Sequence, residues 1–233
     1  MFGHPVPMPV PDNVQATVEQ LRKELQSPLE LPTAHQRVLR EALVLMNERG
    51  YAGASLRELA RRVEMSQPSL YHYFESKEQL VEQVIRFYVD RAMRMPEEAP
   101  LSPTLAEGLR YGLARMIENF ESDEHRTFIR FLLAVGRERP EVQQLSRELM
   151  LERGYALMNR FVEAFVSSGE VLASDSRHLV EMVTHSMLLR LLRDHVLFPD
   201  AATAEDTEQF ADFIVDTAVR GVRARLAAAQ EQQ

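Results

Sequence analysis

The chain predicts an all-α protein, a small N-terminal helical unit followed by a larger helical body. Apolar residues recur at helical spacing from end to end. Ser/Thr-x-x-Glu/Gln boxes and isolated prolines punctuate that pattern where helices should start and stop. No stretch alternates with the two-residue period of a half-buried strand, and no Asn-Gly or Asp-Gly hairpin turn occurs.

The first eleven residues hold four prolines and are expected to be mobile. Residues 12–26 then read as an amphipathic helix, with Val14, Val18, Leu21 and Leu25 on one face, closed by Pro28 and Pro32. Thr33-Ala34-His35-Gln36 is a capping box that opens a helix carrying Val38, Leu39, Ala42, Leu43 and Met46, with Gly50 as its C-cap. Ser55-Leu56-Arg57-Glu58 opens a short helix to about Val63. Ser66 caps another, whose first turn suits Pro68. Ser76-Lys77-Glu78-Gln79 starts a long helix to about Met95. Pro96 and Pro100 mark the boundary, so the expected units are an N-terminal extension over 1–32, a head over 33–95 and a body over 96–233. In the body, Ser102-Pro103 should start a helix to about Phe120. A second runs from Asp123 to Arg137, and a third from Pro140 to near Gly169. Ser174 or Asp175 should cap a fourth reaching Leu197, and Thr203-Ala204-Glu205-Asp206 a last one to about Ala228.

Composition narrows the function classes. No cysteine occurs, which excludes disulfides, thiolate zinc sites and cysteine nucleophiles. No apolar run approaches the roughly 18 residues of a membrane span, and the first residues lack the basic start and apolar core of a secretory signal, so a cytoplasmic chain without membrane contact is expected. His178 and His185 stand seven apart, too far to share a metal, and no metal site or cofactor is expected. No catalytic motif appears, so neither catalytic residues nor an enzyme is expected. The formal charge of −8 is uneven: residues 33–95 carry ten Lys/Arg against eight Asp/Glu, so the acidity lies elsewhere. A near-neutral head on an acidic body suits a reader of nucleic acid that must not adhere everywhere.

The head has the pattern of a helix-turn-helix. Leu56, Leu59, Ala60 and Val63 share one face of its second helix; Leu70 and Phe74 share one face of the third, and the two faces should pack. That packing turns Gln67, Ser69, Tyr71, His72 and Tyr73 outward. Gln67 can pair with an adenine edge and His72 can reach a base or a phosphate. Ser69 lets the helix sit deep in the groove. Tyr71 and Tyr73 can fix register through phosphate oxygens. Lys77, Ser55 and Thr33 stand at helix starts, whose free amides attract phosphate. The candidate DNA contacts are thus Thr33, Ser55, Ser66, Gln67, Pro68, Ser69, Tyr71, His72, Tyr73 and Lys77, with Arg57, Arg61 and Arg62 as further phosphate partners.

The stretch SLRELARRVEMSQPSLYHYFESKEQL resembles the DNA-binding segment of TetR-family regulators, above all in Leu-Tyr-His-Tyr-Phe followed by Lys77-Glu78 and Leu80. Glu48-Arg49-Gly50-Tyr51 and Ser55 match as well, so the resemblance covers about residues 33–82. Glu64 and Ser69 stand where the family often has glycine. Glu64 implies either a turn that needs no left-handed residue or one that tolerates strain. The resemblance implies a homodimer on double-stranded DNA with a palindromic operator, and repression relieved by a small-molecule effector. The body would then be a ligand-binding and dimerisation domain. Some of its large side chains would line a largely apolar effector pocket: Phe120, Phe131, Met150, Met158 and Phe161, with His185 and Arg190 (or Arg130) as partners for a polar or anionic group. The last two helices would form the dimer interface through Val180, Val183, Met187, Leu188 and Leu191, and through Phe210, Phe213, Ile214, Thr217 and Val222. The extension helix could cap the head, add a DNA contact or swap between subunits.

Overall fold

The computed structural model describes residues 10–26, 31–96, 99–100, 103–199 and 204–232. The Pro-rich start up to residue 9, Ser102 and Thr203 lie outside them. Among the described residues there is no strand. The extension is α1 (Asp12–Gln26). The head comprises α2 (Thr33–Gly53), α3 (Leu56–Arg62), α4 (Gln67–Leu70) and α5 (Lys77–Met93). The body comprises α6 (Leu105–Glu121), α7 (Asp123–Glu138), α8 (Pro140–Ser146), α9 (Arg153–Ser167), α10 (Ala173–Leu192) and α11 (Ala204–Glu231). A π-helical turn over Arg147–Glu152 joins α8 to α9, so one long helical run fills 140–167 as the spacing predicts. A second π turn, Arg193–Leu197, extends α10.

The caps explain most boundaries. Ser55, Ser66 and Ser76 each accept a hydrogen bond from the backbone N–H three residues on, satisfying one of the donors a helix start leaves open. Three expectations are corrected. Thr33 is not a cap: Pro32 precedes the helix without a side-chain bond, and Gln36 turns back to the Leu31 carbonyl at 2.8 Å. The body's first cap is Thr104, in a reciprocal box with Glu107. Neither Ser174 nor Asp175 caps α10, which starts at Ala173. Asp175 is buried and takes a two-pronged hydrogen bond from Arg225 of α11, at 2.6 and 3.0 Å. Gly50 does break α2, at φ 70°, but one more turn follows it to Gly53.

The head core is built from Leu39, Ala42, Leu43, Leu59, Leu70 and Phe74, the body core from Leu109, Leu113, Phe128, Phe165, Val183 and Met187. Two polar joints tie them together. At the first, Glu124 of α7 accepts from the buried Tyr88 hydroxyl at 2.8 Å and from Arg40 at 3.1 Å, and pairs with Arg91 at 3.3 Å. At the second, the Arg139 guanidinium lies 4.7 Å above the Tyr51 ring, whose hydroxyl donates to Glu78 at 2.8 Å. The extension packs on the body within its own chain. Helix α1 packs on α9 of its own chain. Asn13 donates to the Ala164 carbonyl at 2.6 Å near one end, and Glu24 pairs with Arg160 at 2.6 Å near the other.

Candidate nucleic-acid interface and internal cavity

Helix α3, the turn over Val63–Met65 and α4 form the two-helix unit. Met65 N–H donates back to the Ala60 carbonyl at 2.9 Å, which ends α3 and sets the angle of α4. The turn places Glu64 at φ 57°, a left-handed conformation disfavoured for a residue with a Cβ. Of the two readings of Glu64, strain is therefore the one observed. Glu64 is exposed and its replacement removes no packing. Left-handed strain costs about 1–2 kcal/mol, and glycine loses about 0.5–1 kcal/mol to chain entropy. Glu64→Gly should therefore stabilise the protein by about 0.5–1 kcal/mol, read as a higher urea midpoint; an unchanged or lower midpoint contradicts the strain.

Leu70 and Phe74 are buried, as their spacing requires, and hold α4 against α3. Ser66, Gln67, Pro68, Tyr71 and His72 are exposed on the opposite side, with Tyr71 at 47%. Ser69 is half-buried, and its hydroxyl lies 2.7 Å from that of Ser66. Tyr73 is half-buried too, its ring 4.9 Å from that of His35. His35 contacts Gln83 at 2.7 Å, and Gln83 donates to the Tyr73 carbonyl. The Lys77 ammonium donates to the Tyr51 carbonyl and sits 4.4 Å over the Tyr51 ring. Burial lowers its pKa. Lys77 therefore clamps the end of α2, beside the Arg139 joint. Thr33 and Ser55 are exposed at the starts of α2 and α3. Arg61 and Arg62 are engaged by Glu58 and Glu48, and this pairing holds Glu58 down at about 2. Arg57 is exposed and has no ion-pair partner among the described residues. It is the arginine of α3 whose charge is least offset.

A cavity of about 330 Å³, partly open to solvent, lies between α1, α5, α6, α7, α9 and α10. Phe120, Met150, Met158 and Phe161 line it. Phe131, His185 and Arg190 do not. Phe131 turns into the core beside Phe128. His185 lies exposed on the outer side of α10, and the lining Tyr155 meets it edge-on at 5.3 Å. Arg190 lies over Phe210 and beside buried Asp194, while Arg130 is exposed. No arginine proposed for an anionic group thus reaches the cavity.

Two contributors escaped the sequence reading, and a third, His125, was one of three histidines it left open between pocket, core and surface. Val18, Leu21 and Leu25 of α1 form part of the wall. His125 also lines it, wedged between Phe120 at 5.2 Å and Phe128 at 6.1 Å, and burial depresses its pKa to about 4, so it is neutral near pH 7. Gly108 and Gly112, four apart on α6, give way to Phe161 and Met158: a Cβ on Gly108 would stand 2.0 Å from the Phe161 ring. The Gly-x-x-x-Gly spacing was the available signal. Alanine is favoured over glycine in a helix by about 1 kcal/mol, but overpacking costs about 1–3 kcal/mol. Gly108→Ala should therefore lose about 1 kcal/mol in a thermal melt, and adding Phe161→Leu should recover it; no recovery would locate the cost elsewhere.

Most of the expected dimer residues are corrected, whereas Phe213 and Thr217 are exposed. Val180, Val183, Met187 and Leu191 are buried within the protomer, as are Ile214 and Val222. Leu188 lines the cavity and Phe210 lies beneath Arg190. The outward apolar residues of α10 and α11 are Met182, Leu189 and Phe213, the last two 68% and 64% exposed. Helix α10 is apolar on both sides, so periodicity could not choose the outer one. No described helix is long and apolar enough to cross a membrane.

Residues 38–84 match the family model described as bacterial regulatory proteins, tetR family. The HTH-type transcriptional regulator YerO of Bacillus subtilis is 22% identical over 186 residues, 78% of this chain and 62% of YerO. The HTH-type transcriptional repressor KstR2 of Mycolicibacterium smegmatis is 28% identical over 100 residues, 43% of this chain and 48% of KstR2. The chain thus spans about half to two thirds of the length of these two relatives. Among solved structures, the flavonoid-responsive regulator FrrA superposes with a TM-score of 0.67 at 22% identity, over 81% of this chain and 96% of that one, which shows the shared all-α fold.

Proposed function

From the premise that the chain belongs to the TetR family of transcriptional regulators, transcription factors rather than enzymes, we propose that it is a dimeric DNA-binding repressor released from a palindromic operator by a small-molecule effector. One observation carries the reading. While Leu70 and Phe74 are buried, Gln67 at the start of α4 and Tyr71 and His72 just after it are exposed, and Arg57 of α3 is exposed without an ion-pair partner among the described residues. Amide, hydroxyl and imidazole groups on a short helix fit the edges and phosphates of a major groove. Ser66, Pro68, Ser69 and Tyr73 shape and support that surface, Thr33 and Ser55 flank it, and Lys77 holds its base.

The outward Met182, Leu189 and Phe213 support a two-fold interface of α10 and α11 with their copies, which would pair two heads on inverted half-sites. The cavity supports an effector site, and the Glu124 and Arg139 joints supply a route from body to head. Similarity to KstR2, a repressor, supports repression over activation. Selection of bound duplexes from a random pool tests the reading: wild-type protein should enrich an inverted repeat and shift it on a gel as one dimer. Enrichment of no sequence, or equal retention of that repeat by a Gln67→Ala/Tyr71→Ala variant, sinks it.

A further inference from the structure

Helix α1 lies outside residues 38–84, the segment the family model matches. It is nonetheless built into the cavity. Val14, Val18 and Leu21 are buried, and the helix is pinned to α9 near both ends by Asn13 and Glu24. Val18, Leu21 and Leu25 recur at three- and four-residue spacing, so all three fall on the side that closes the space. The glycine pair of α6 bounds the same space.

The chemistry of the remaining wall narrows what can enter. Among the described residues no carboxylate lines it. Asn119 donates its amide to the Ala92 carbonyl at 2.9 Å, and Thr184 donates to the Val180 carbonyl at 2.6 Å. Arg115 is held by Glu118, and Arg94 is exposed to solvent. A charge buried among these apolar side chains needs a buried partner, and the lining cations are the exposed Arg94 and Arg115, which Glu118 already engages.

We propose that α1 is a wall of the effector site, that Val18, Leu21 and Leu25 touch the ligand and set the size accepted, and that this ligand is an uncharged, largely apolar small molecule. The proposal rests on reading the cavity as the effector site. Only residues 27–32 separate α1 from the first helix of the head, so a ligand that moves this wall acts close to the DNA-binding unit.

The test uses the full chain and the neutral fluorophore N-phenyl-1-naphthylamine, displaced by n-alkanols of increasing length. Wild-type protein should bind the fluorophore. Leu25→Ala should weaken it about tenfold and shift the best-competing alkanol to a longer chain. Leu21→Trp should abolish binding, and Met158→Trp, on the α9 wall, should do the same. Circular dichroism melts accompany each variant; if Leu21→Trp unfolds, the half-buried Leu25→Ala decides alone. Wild-type affinity and chain-length order in the α1 variants, with loss in Met158→Trp, overturns the role of α1 and leaves the cavity reading intact. Failure of the wild-type protein to bind the fluorophore or any alkanol overturns both.

Discussion

Replacing Gln67 and Tyr71 together by alanine should weaken operator binding by about two orders of magnitude and leave stability unchanged. A good bidentate contact to a base edge is worth about 1–3 kcal/mol, and a hydroxyl hydrogen bond to phosphate adds about 1 kcal/mol. Both side chains are exposed in the free protein, and exposed substitutions away from caps usually shift stability by no more than about 0.5 kcal/mol. Neither is charged, so the slope of log affinity against log salt should hold. Arg57→Ala provides the contrast. It should weaken every duplex alike and flatten that slope by about one counterion. Anisotropy titrations at several salt concentrations separate the two. A double variant that loses affinity equally for operator and for random duplex would move Gln67 from the base edges to the backbone, beside Tyr71.

The head was legible in the sequence because local rules agree there. Serine caps, a proline in the first turn and two apolar faces of matching register each have one solution, and the observed helix starts follow them, although α4 ends at Leu70, short of the Phe74 that its spacing placed on it. Thr33 shows where such rules fail: a Thr-x-x-Gln box looks complete, yet Pro32 sets the chain direction and Gln36 finds the Leu31 carbonyl instead. The body was legible as helices and not as a site. Phe131 and Phe120 are alike in sequence, and only packing between distant helices turns one into the core and the other toward the cavity. Helix α10 is the sharpest case: with apolar residues all round, its buried Val183 and its outward Leu189 cannot be distinguished by period. The wall formed by α1 arises from a contact made some 140 residues along the chain.

Acidification should destabilise the protein through His125 before its carboxylates respond. Its folded pKa of about 4 lies below the ordinary imidazole value of 6.5 because burial penalises the charged ring. Between those two values the unfolded chain binds a proton that the folded one refuses, so stability falls as pH falls. The contribution is complete above pH 6.5. At about 1.4 kcal/mol per pH unit, some 2–3 kcal/mol should be lost between pH 6.5 and 4.5. The ion-paired carboxylates, Glu58 and Asp175 among them, have lowered pKa values and give up their stabilisation only at lower pH. His195 has its pKa lowered by burial and by Arg126, and adds a smaller slope of the same sign. Phenylalanine keeps a flat, uncharged ring between Phe120 and Phe128, so His125→Phe should fold and show a much flatter urea midpoint over this window. An equal slope in wild type and variant would mean that the imidazole takes its proton in the folded state, with water or a rearranged wall accommodating the charge. The same neutrality bears on the cavity: an uncharged imidazole can give or take one hydrogen bond from a neutral ligand, whereas its protonated form would put an unpartnered charge against the rings of Phe120 and Phe128.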